Sequence, residues 1–113
     1  MWMKLLQHWI RNTMNKYKVR LLPRAFRDLD NIFEYIANEK LSLDAAKRQT
    51  NRIKAAIRSL SSFPESHQKR QEGRFADKGY RQLLIGSYMA VFRIDEVQKT
   101  VYVVTVQYQG RNI

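Results

Sequence analysis

The chain has 113 residues, no cysteine and 21 basic against 10 acidic side chains, which gives a formal net charge of +11. This length suits one domain with a core of its own, and the lack of cysteine excludes disulfide scaffolds and thiolate metal sites. His8 and His67 are the only imidazoles and no apolar run approaches the ~20 residues of a membrane span, so we expect no metal and no membrane association, and we expect a cytoplasmic protein.

The opening residues 1–15 form an N-terminal extension that we separate from a domain over residues 16–113. Apolar residues at spacings of three and four in this extension are typical of a short amphipathic helix. A disordered extension, or a natural start at Met14, fits the same residues. The apolar positions are Trp2, Leu5, Leu6, Trp9 and Ile10.

A first strand and a first helix follow. In residues 17–21 every second side chain is apolar, which is typical of a half-buried strand. Pro23 suits the first turn of a helix, because its missing N–H would have had no partner there. An apolar stripe with Ala25, Leu29 and Ile36 then continues through Glu39, and it leaves Asp28 and other polar side chains for solvent.

A second helix begins after the break at residues 40–42. Ser42 or Asp44 can cap it by accepting from its first backbone N–H groups. Its apolar stripe ends near Phe63 and Pro64. Because the connection is so short, we expect the two helices to form an antiparallel hairpin.

The outer face of this second helix is basic. With the charge of +11, this face predicts a docking surface for an acidic partner. A solvated helix surface is the alternative, because basic residues also favour the C-terminal half of a helix. The residues are Lys47, Arg48, Arg52, Lys54 and Arg58.

Three strands are predicted after a polar loop over residues 65–79, a length that is typical of functional or mobile loops. They cover residues 80–85, 88–94 and 100–108, and their short connections predict an antiparallel meander. In the middle strand, alternation places Ala90 and Phe92 in the core and Met89 on the opposite face. In the last strand it places Val101 and Val103 opposite Val106, which suggests a strand covered on both sides.

The assembled order predicts an α+β fold with an N-terminal strand, an antiparallel helical hairpin and a three-stranded antiparallel meander. We expect both helices on one face of an antiparallel sheet. The opposite face should stay open, with Met89, Arg93, Arg81 and the C-terminal tail gathered around it.

These residues resemble the RelE/ParE superfamily of toxins from bacterial type II toxin-antitoxin systems. The resemblance runs from about Tyr17 to the last residue, and it depends on the order of several short motifs. In the first helix the motifs are residues 25–29, Ile32 and residues 35–36, and at the end of the second helix they are Leu60 and residues 63–64. In the predicted strands and the C-terminal tail they are residues 80–81, 86–88, 91–93 and 106–113.

The resemblance implies a toxin without cofactors that inhibits growth and stabilises plasmids, and that an antitoxin keeps silent. An acidic antitoxin segment that folds on binding would suit the basic helix face. It also implies one of two targets. A ParE-like toxin inhibits DNA gyrase without a hydrolytic site, whereas a RelE-like toxin is a metal-independent endoribonuclease that cuts mRNA in the ribosome.

Cutting RNA requires a base, a cation for the phosphate and an acid for the leaving oxygen. RelE-like members commonly have basic residues where this chain has Met89 and Gly110. The ParE-like interpretation is therefore favoured, with the endonuclease as the alternative. A degenerate toxin, or a basic nucleic-acid-binding module, is a further alternative. If the chain is a nuclease, its candidate catalytic residues are Arg81, Arg93, Tyr108 and Arg111.

Overall fold

The computed structural model describes residues 16–71, 75 and 78–110, so the predicted extension over residues 1–15 lies outside the described residues. Within these residues, two α-helices and four strands form an α+β fold, as predicted, and two short 3-10 turns, Ser59–Ser61 and Pro64–Ser66, follow the second helix. The elements are β1 (Lys18–Leu21), α1 (Pro23–Lys40), α2 (Leu43–Arg58), β2 (Arg81–Ile85), β3 (Tyr88–Asp95) and β4 (Thr100–Tyr108).

Both helices begin where the sequence predicts, but α2 ends at Arg58, before the predicted end near Phe63 and Pro64. Pro23 opens α1, and the Ser42 side chain accepts a hydrogen bond of 3.1 Å from the Ala45 N–H at the start of α2. Leu41, in the left-handed conformation, makes the tight connection between them. No helix within the described ranges combines the length and the apolar content that a membrane span requires.

The sheet has the strand order β1-β4-β3-β2. Strands β2, β3 and β4 form the predicted antiparallel meander, but β1 pairs with β4 in parallel, so the expectation of an antiparallel sheet was wrong for this pair. The reason lies in the segment before β2, where Lys69 pairs antiparallel with Arg81. That segment carries the chain back along the sheet, so that β2 and β4 run in the same direction as β1.

The main core lies between the helices and one face of the sheet. Phe92, Ile53 and Leu60 are completely buried in it, and Ala90 joins them from the middle strand, as predicted. Val19 and Leu21 of β1 pack against this core with partly buried side chains. The helices therefore cover one face of the sheet.

A β-bulge changes the faces of β4. Phe92 pairs with Val103 whereas its neighbour Val91 pairs with Thr105, so β4 contains one extra residue. The extra residue turns Val106 to the same side as Val103, and both are buried in the main core. The alternation that placed Val106 on the opposite face was therefore wrong.

The second face of the sheet is only half open, which also differs from the prediction. Met89 and Val91 are 3% and 0% exposed there, and they form a small second core with Phe75. Phe75 belongs to the connection between α2 and β2, and its ring contacts Tyr80 at 4.9 Å between centroids. The sequence showed this connection only as a polar loop, so its covering role was missed.

Candidate functional site

The basic side chains of α2 are exposed, as a docking surface for an acidic partner requires. They do not form one patch. Arg48 and Arg52 line a groove towards the β2–β3 turn, whereas Lys54 and Arg58 line a groove on the other side of the helix, beside β1. Lys47 lines neither of these two grooves.

A groove lined by three tyrosines lies between α1 and the end of the sheet, and we call it the aromatic groove. Tyr35 and Tyr108 are 63% and 58% exposed, and Tyr88 lies between the helix and the strand end, partly buried. The rings of Tyr88 and Tyr108 meet edge to face at 5.9 Å. Burial raises the pKa of Tyr88, and the neighbouring phenols of Tyr35 and Tyr108 raise it further, so Tyr88 stays a neutral donor.

The aromatic groove continues into the groove that Arg48 and Arg52 line. Tyr35, Tyr88 and Tyr108 line both grooves. The aromatic groove has a volume of about 750 Å³. An aromatic surface next to two guanidinium groups can bind a segment that carries both apolar and acidic side chains. The sequence predicted the basic half of this surface and missed Tyr35 and Tyr88, which come from distant parts of the chain.

The candidate nuclease residues do not meet in one place. Arg81 pairs with the core residue Phe92 on the helix side of the sheet, and its Nη1 donates to the His67 carbonyl at 2.6 Å. Arg93 lies on the opposite face and stacks on Tyr102. Tyr108 pairs with Tyr88, five residues along β3 from Arg93 or roughly 17 Å at strand spacing. Arg111 lies outside the described residues.

The structure reveals a cation that sequence reasoning missed. Arg70, from the connection before β2, donates through Nη1 to Gln82 Oε1 at 2.8 Å and approaches the Met89 sulfur at 3.4 Å. A guanidinium therefore lies beside the position where Met89 replaces a commonly basic residue. Neither periodicity nor a local motif could have shown this, because the contact joins positions 19 residues apart.

Among the described residues, no group of three or more His, Asp or Glu side chains could hold a metal ion. The chemistry that these residues offer is therefore that of cations, phenols and hydrogen-bond donors. Such groups bind anions and aromatic or apolar segments.

Comparison with known proteins identifies one family. The family described as the ParE toxin of the type II toxin-antitoxin system parDE matches residues 19–113. This range covers the described fold from β1 to β4 and continues to the end of the chain. No curated protein matches the chain at a significant level.

Solved structures of toxin-antitoxin systems share the fold. The chromosomal ParDE system from P. aeruginosa matches with a TM-score of 0.70 at 17% identity, over 83% of this chain and 97% of that chain. The RelBE2 toxin-antitoxin complex from Mycobacterium tuberculosis matches with a TM-score of 0.56 at 26% identity, over 87% of this chain and 97% of that chain. The RelE–RelB complex from Pyrococcus horikoshii matches with a TM-score of 0.55 at 12% identity, over 85% of this chain and 98% of that chain.

Proposed function

We propose that this chain, which belongs to the ParE toxin family of type II toxin-antitoxin systems, inhibits growth by acting on DNA gyrase in the cytoplasm. The family match over residues 19–113 supports this target. In this proposal the toxin acts through surface contacts with gyrase and needs no catalytic residue of its own.

The separation of the candidate nuclease residues is the observation that carries the proposal. General acid-base cleavage requires the base, the cation and the acid within hydrogen-bond reach of one substrate. Arg81 and Arg93 lie on opposite faces of the sheet, and Tyr108 lies at its other end. Such an arrangement favours inhibition by surface contact over hydrolysis.

Ribosome-dependent mRNA cleavage is the second candidate function. It is favoured by Arg70, whose guanidinium lies beside Met89, and it would use Arg93 as a further phosphate contact. If the chain cuts mRNA, Arg70→Ala should abolish toxicity, because the variant loses the cation that lies beside Met89. Under the gyrase proposal the same variant keeps its toxicity.

The experiment that separates these targets measures both activities on one preparation. Purified toxin, freed of antitoxin, is added to a gyrase supercoiling assay and to a translation extract in which mRNA ends are mapped. We expect inhibited supercoiling with intact mRNA. The double variant Arg81→Ala/Arg93→Ala should inhibit gyrase as the wild type does. Early translation arrest with cut mRNA would contradict the gyrase target.

The antitoxin is the second proposed partner. We propose that an acidic segment of it docks on the basic side chains of α2 and extends an apolar or aromatic side chain into the aromatic groove. Arg48 and Arg52 support this arrangement, because they lie beside Tyr35 and Tyr108. Lys47, Lys54 and Arg58 would contact a second part of the antitoxin, because Lys54 and Arg58 line the groove on the other side of the helix.

Charge reversal tests this docking surface. Arg48→Glu/Arg52→Glu should slow association with the antitoxin by about tenfold, because opposite charge speeds encounter and like charge opposes it. The matched control Lys18→Glu/Arg27→Glu changes the net charge equally at exposed positions outside the surface. Equal slowing in both variants would mean that the overall charge, and not this surface, determines association.

A further inference from the structure

One half of the second sheet face remains exposed, and its side chains form a row across three strands. Arg20 of β1 pairs with Tyr102 of β4, which pairs with Arg93 of β3. Their neighbours along the strands, among them Val101 and Val103, are buried in the main core. Because side chains alternate, the three members of the row project away from the helices. We call them the outer row.

The outer row holds an aromatic ring between two guanidinium groups. The Arg93 guanidinium carbon lies 4.3 Å from the centroid of the Tyr102 ring, and the Tyr102 hydroxyl donates to Gln98 Oε1 at 3.3 Å. These contacts hold the Arg93 guanidinium over the face of the Tyr102 ring. Arg20 and Arg93 are both exposed, so their remaining N–H groups face solvent.

Neither Arg20 nor Arg93 forms an ion pair with a carboxylate of the described residues. Asp95, in the adjacent row with Lys18 and Thr100, uses Oδ1 to accept from the backbone N–H groups of Val97 and Gln98 at 3.1 Å each. Within the described part of the chain, the one ion pair joins Lys99 to Glu96. The arginines of the outer row are therefore available to an external anion.

Arg70 extends the basic surface along the sheet. It contacts Gln82 of β2, which pairs with Val91, and Val91 lies two residues from Arg93 on the same face of β3. Its Nε is buried and has no hydrogen-bond partner. Arg70 is partly buried beside the covered Met89, so it adds positive charge to this face beyond the exposed half.

We propose that the outer row binds single-stranded DNA. Guanidinium groups at Arg20 and Arg93 contact phosphates of the strand, and an unpaired base stacks against the Tyr102–Arg93 pair. Aromatic platforms flanked by basic residues bind single strands in this way, because every unpaired base has an exposed π-face. The base pairs of a duplex hide these faces within the helical stack, so a duplex offers no base to the Tyr102 ring. The choice of DNA over RNA rests on the proposed gyrase target, whereas the binding itself does not.

Fluorescence anisotropy of labelled 20-nucleotide oligothymidine with the full-length toxin tests this inference. We expect Arg20→Gln/Arg93→Gln to weaken binding at least about tenfold. We also expect it to reduce the slope of log affinity against log salt by about 1.4, since each lost phosphate contact removes about 0.7 for single strands. Tyr102→Leu should weaken binding by about tenfold with the slope unchanged, whereas Tyr102→Phe, which keeps the ring, should bind as the wild type does.

The control Arg27→Gln/Lys40→Gln removes the same charge at exposed positions of α1, on the other side of the sheet. It should keep binding within about threefold, because distant charges are largely screened at ~0.15 M salt. Equal weakening by the control, tighter binding of a 20-base-pair duplex, tighter binding of oligouridine, or no binding of oligothymidine would each overturn the inference. The gyrase assay on the same variants separates the two proposals. We expect Arg20→Gln/Arg93→Gln to lose DNA binding and still inhibit gyrase. A wild type that binds oligothymidine but does not inhibit supercoiling would contradict the gyrase target and leave the DNA binding standing.

Discussion

Asp28 shows how one side chain completes the hydrogen bonding of the sheet. We expected it to face solvent, but its Oδ2 accepts from the Val106 N–H at 3.0 Å and from the Thr105 hydroxyl. Strand β1 pairs with β4 only as far as Val103, so beyond that residue β4 would have a free edge. Asp28 therefore supplies from α1 an acceptor that a neighbouring strand would otherwise provide.

Replacing Asp28 should destabilise the fold. Asp28→Ala leaves the buried Thr105 hydroxyl and the Val106 N–H without this acceptor, and we expect a loss of about 2 kcal/mol in the free energy of unfolding. Asp30→Ala makes the same change at an exposed position of the same helix, so helix propensity cancels in the comparison. Urea denaturation of both variants measures the difference, and equal stabilities would contradict a structural role for Asp28.

Tyr17, Glu96 and Lys99 form a small network with a defined pH dependence. The Tyr17 hydroxyl and the Lys99 ammonium both donate to Glu96 Oε2 at 3.0 Å. Burial raises the pKa of Tyr17, and its hydrogen bond to Glu96 raises it further. The hydrogen bonds from Lys99 and then Tyr17 lower the pKa of Glu96, and the bond to Glu96 raises the pKa of Lys99.

The signs of these shifts predict a plateau of stability. The Glu96 contribution is present above its ordinary pKa of about 4.5 and is lost as pH falls through the lowered value. The contributions of Tyr17 and Lys99 are present below about pH 10 and are lost as pH rises through their raised values. Glu96→Gln should reduce both the loss of stability at low pH and the loss of stability at high pH. Urea unfolding midpoints from pH 3 to 11 will measure these losses. An unchanged profile in this variant would contradict the network.

At the scale of elements, the helical hairpin depends on a strained residue. Leu41 ends α1 with φ 49° and ψ 40°, and its side chain is 90% exposed, so no packing compensates for the left-handed backbone. Glycine is the residue that this position favours. The Ser42 cap follows at once and directs the chain into α2. The hairpin therefore tolerates strain to keep a short connection.

Leu41→Gly should stabilise the protein by about 0.5–1 kcal/mol, because relief of strain exceeds the added freedom of the unfolded chain. Leu43→Gly is the matched control. Leu43 is also exposed but lies in the first turn of α2, where glycine should cost up to about 1 kcal/mol. Thermal denaturation should therefore show shifts of opposite sign. Destabilisation by both substitutions would mean that Leu41 contributes contacts that its exposure does not indicate.

For the whole molecule, the order β1-β4-β3-β2 makes the last strand a central one. Residues in β4 pair with β1 on one side and with β3 on the other. The paired residues of β1 and β4 are about 80 positions apart in the sequence. The β2 edge is partly covered, since the Gln82 N–H donates to the Gln68 carbonyl at 2.9 Å. Strand β1 forms the other edge, and just before it the Tyr17 N–H donates to the Ser61 carbonyl at 3.2 Å.

Hydrogen exchange should reflect this arrangement. Backbone amides of β4 between Thr100 and Val103 should exchange only on global unfolding, at least about tenfold more slowly than those of β1, which can fray at the edge. Exchange measured by mass spectrometry on overlapping peptides will compare the two strands. Faster exchange in β4 than in β1 would contradict its central position.

The sequence by itself determined the elements, their order, the α+β class and the family. Each of these depends on local signals, such as the alternation in residues 17–21, Pro23 and Ser42 at helix starts and the short turn at Gly86, which act within a few residues. The family motifs could be recognised for the same reason, because each is a short run in a fixed order. The exposure of the basic side chains of α2 also follows from helical periodicity, although the structure divides them between two sides of the helix.

Only the tertiary structure decided which distant residues meet. The parallel pairing of β1, the bulge that turns Val106 inward and the burial of Met89 beneath Phe75 all depend on strand register and on the return path of the chain. The same contacts separate Arg81 from Arg93, and they bring together the residues of the outer row. Long-range pairing is fixed by the burial of whole faces against each other, and no local pattern encodes that choice.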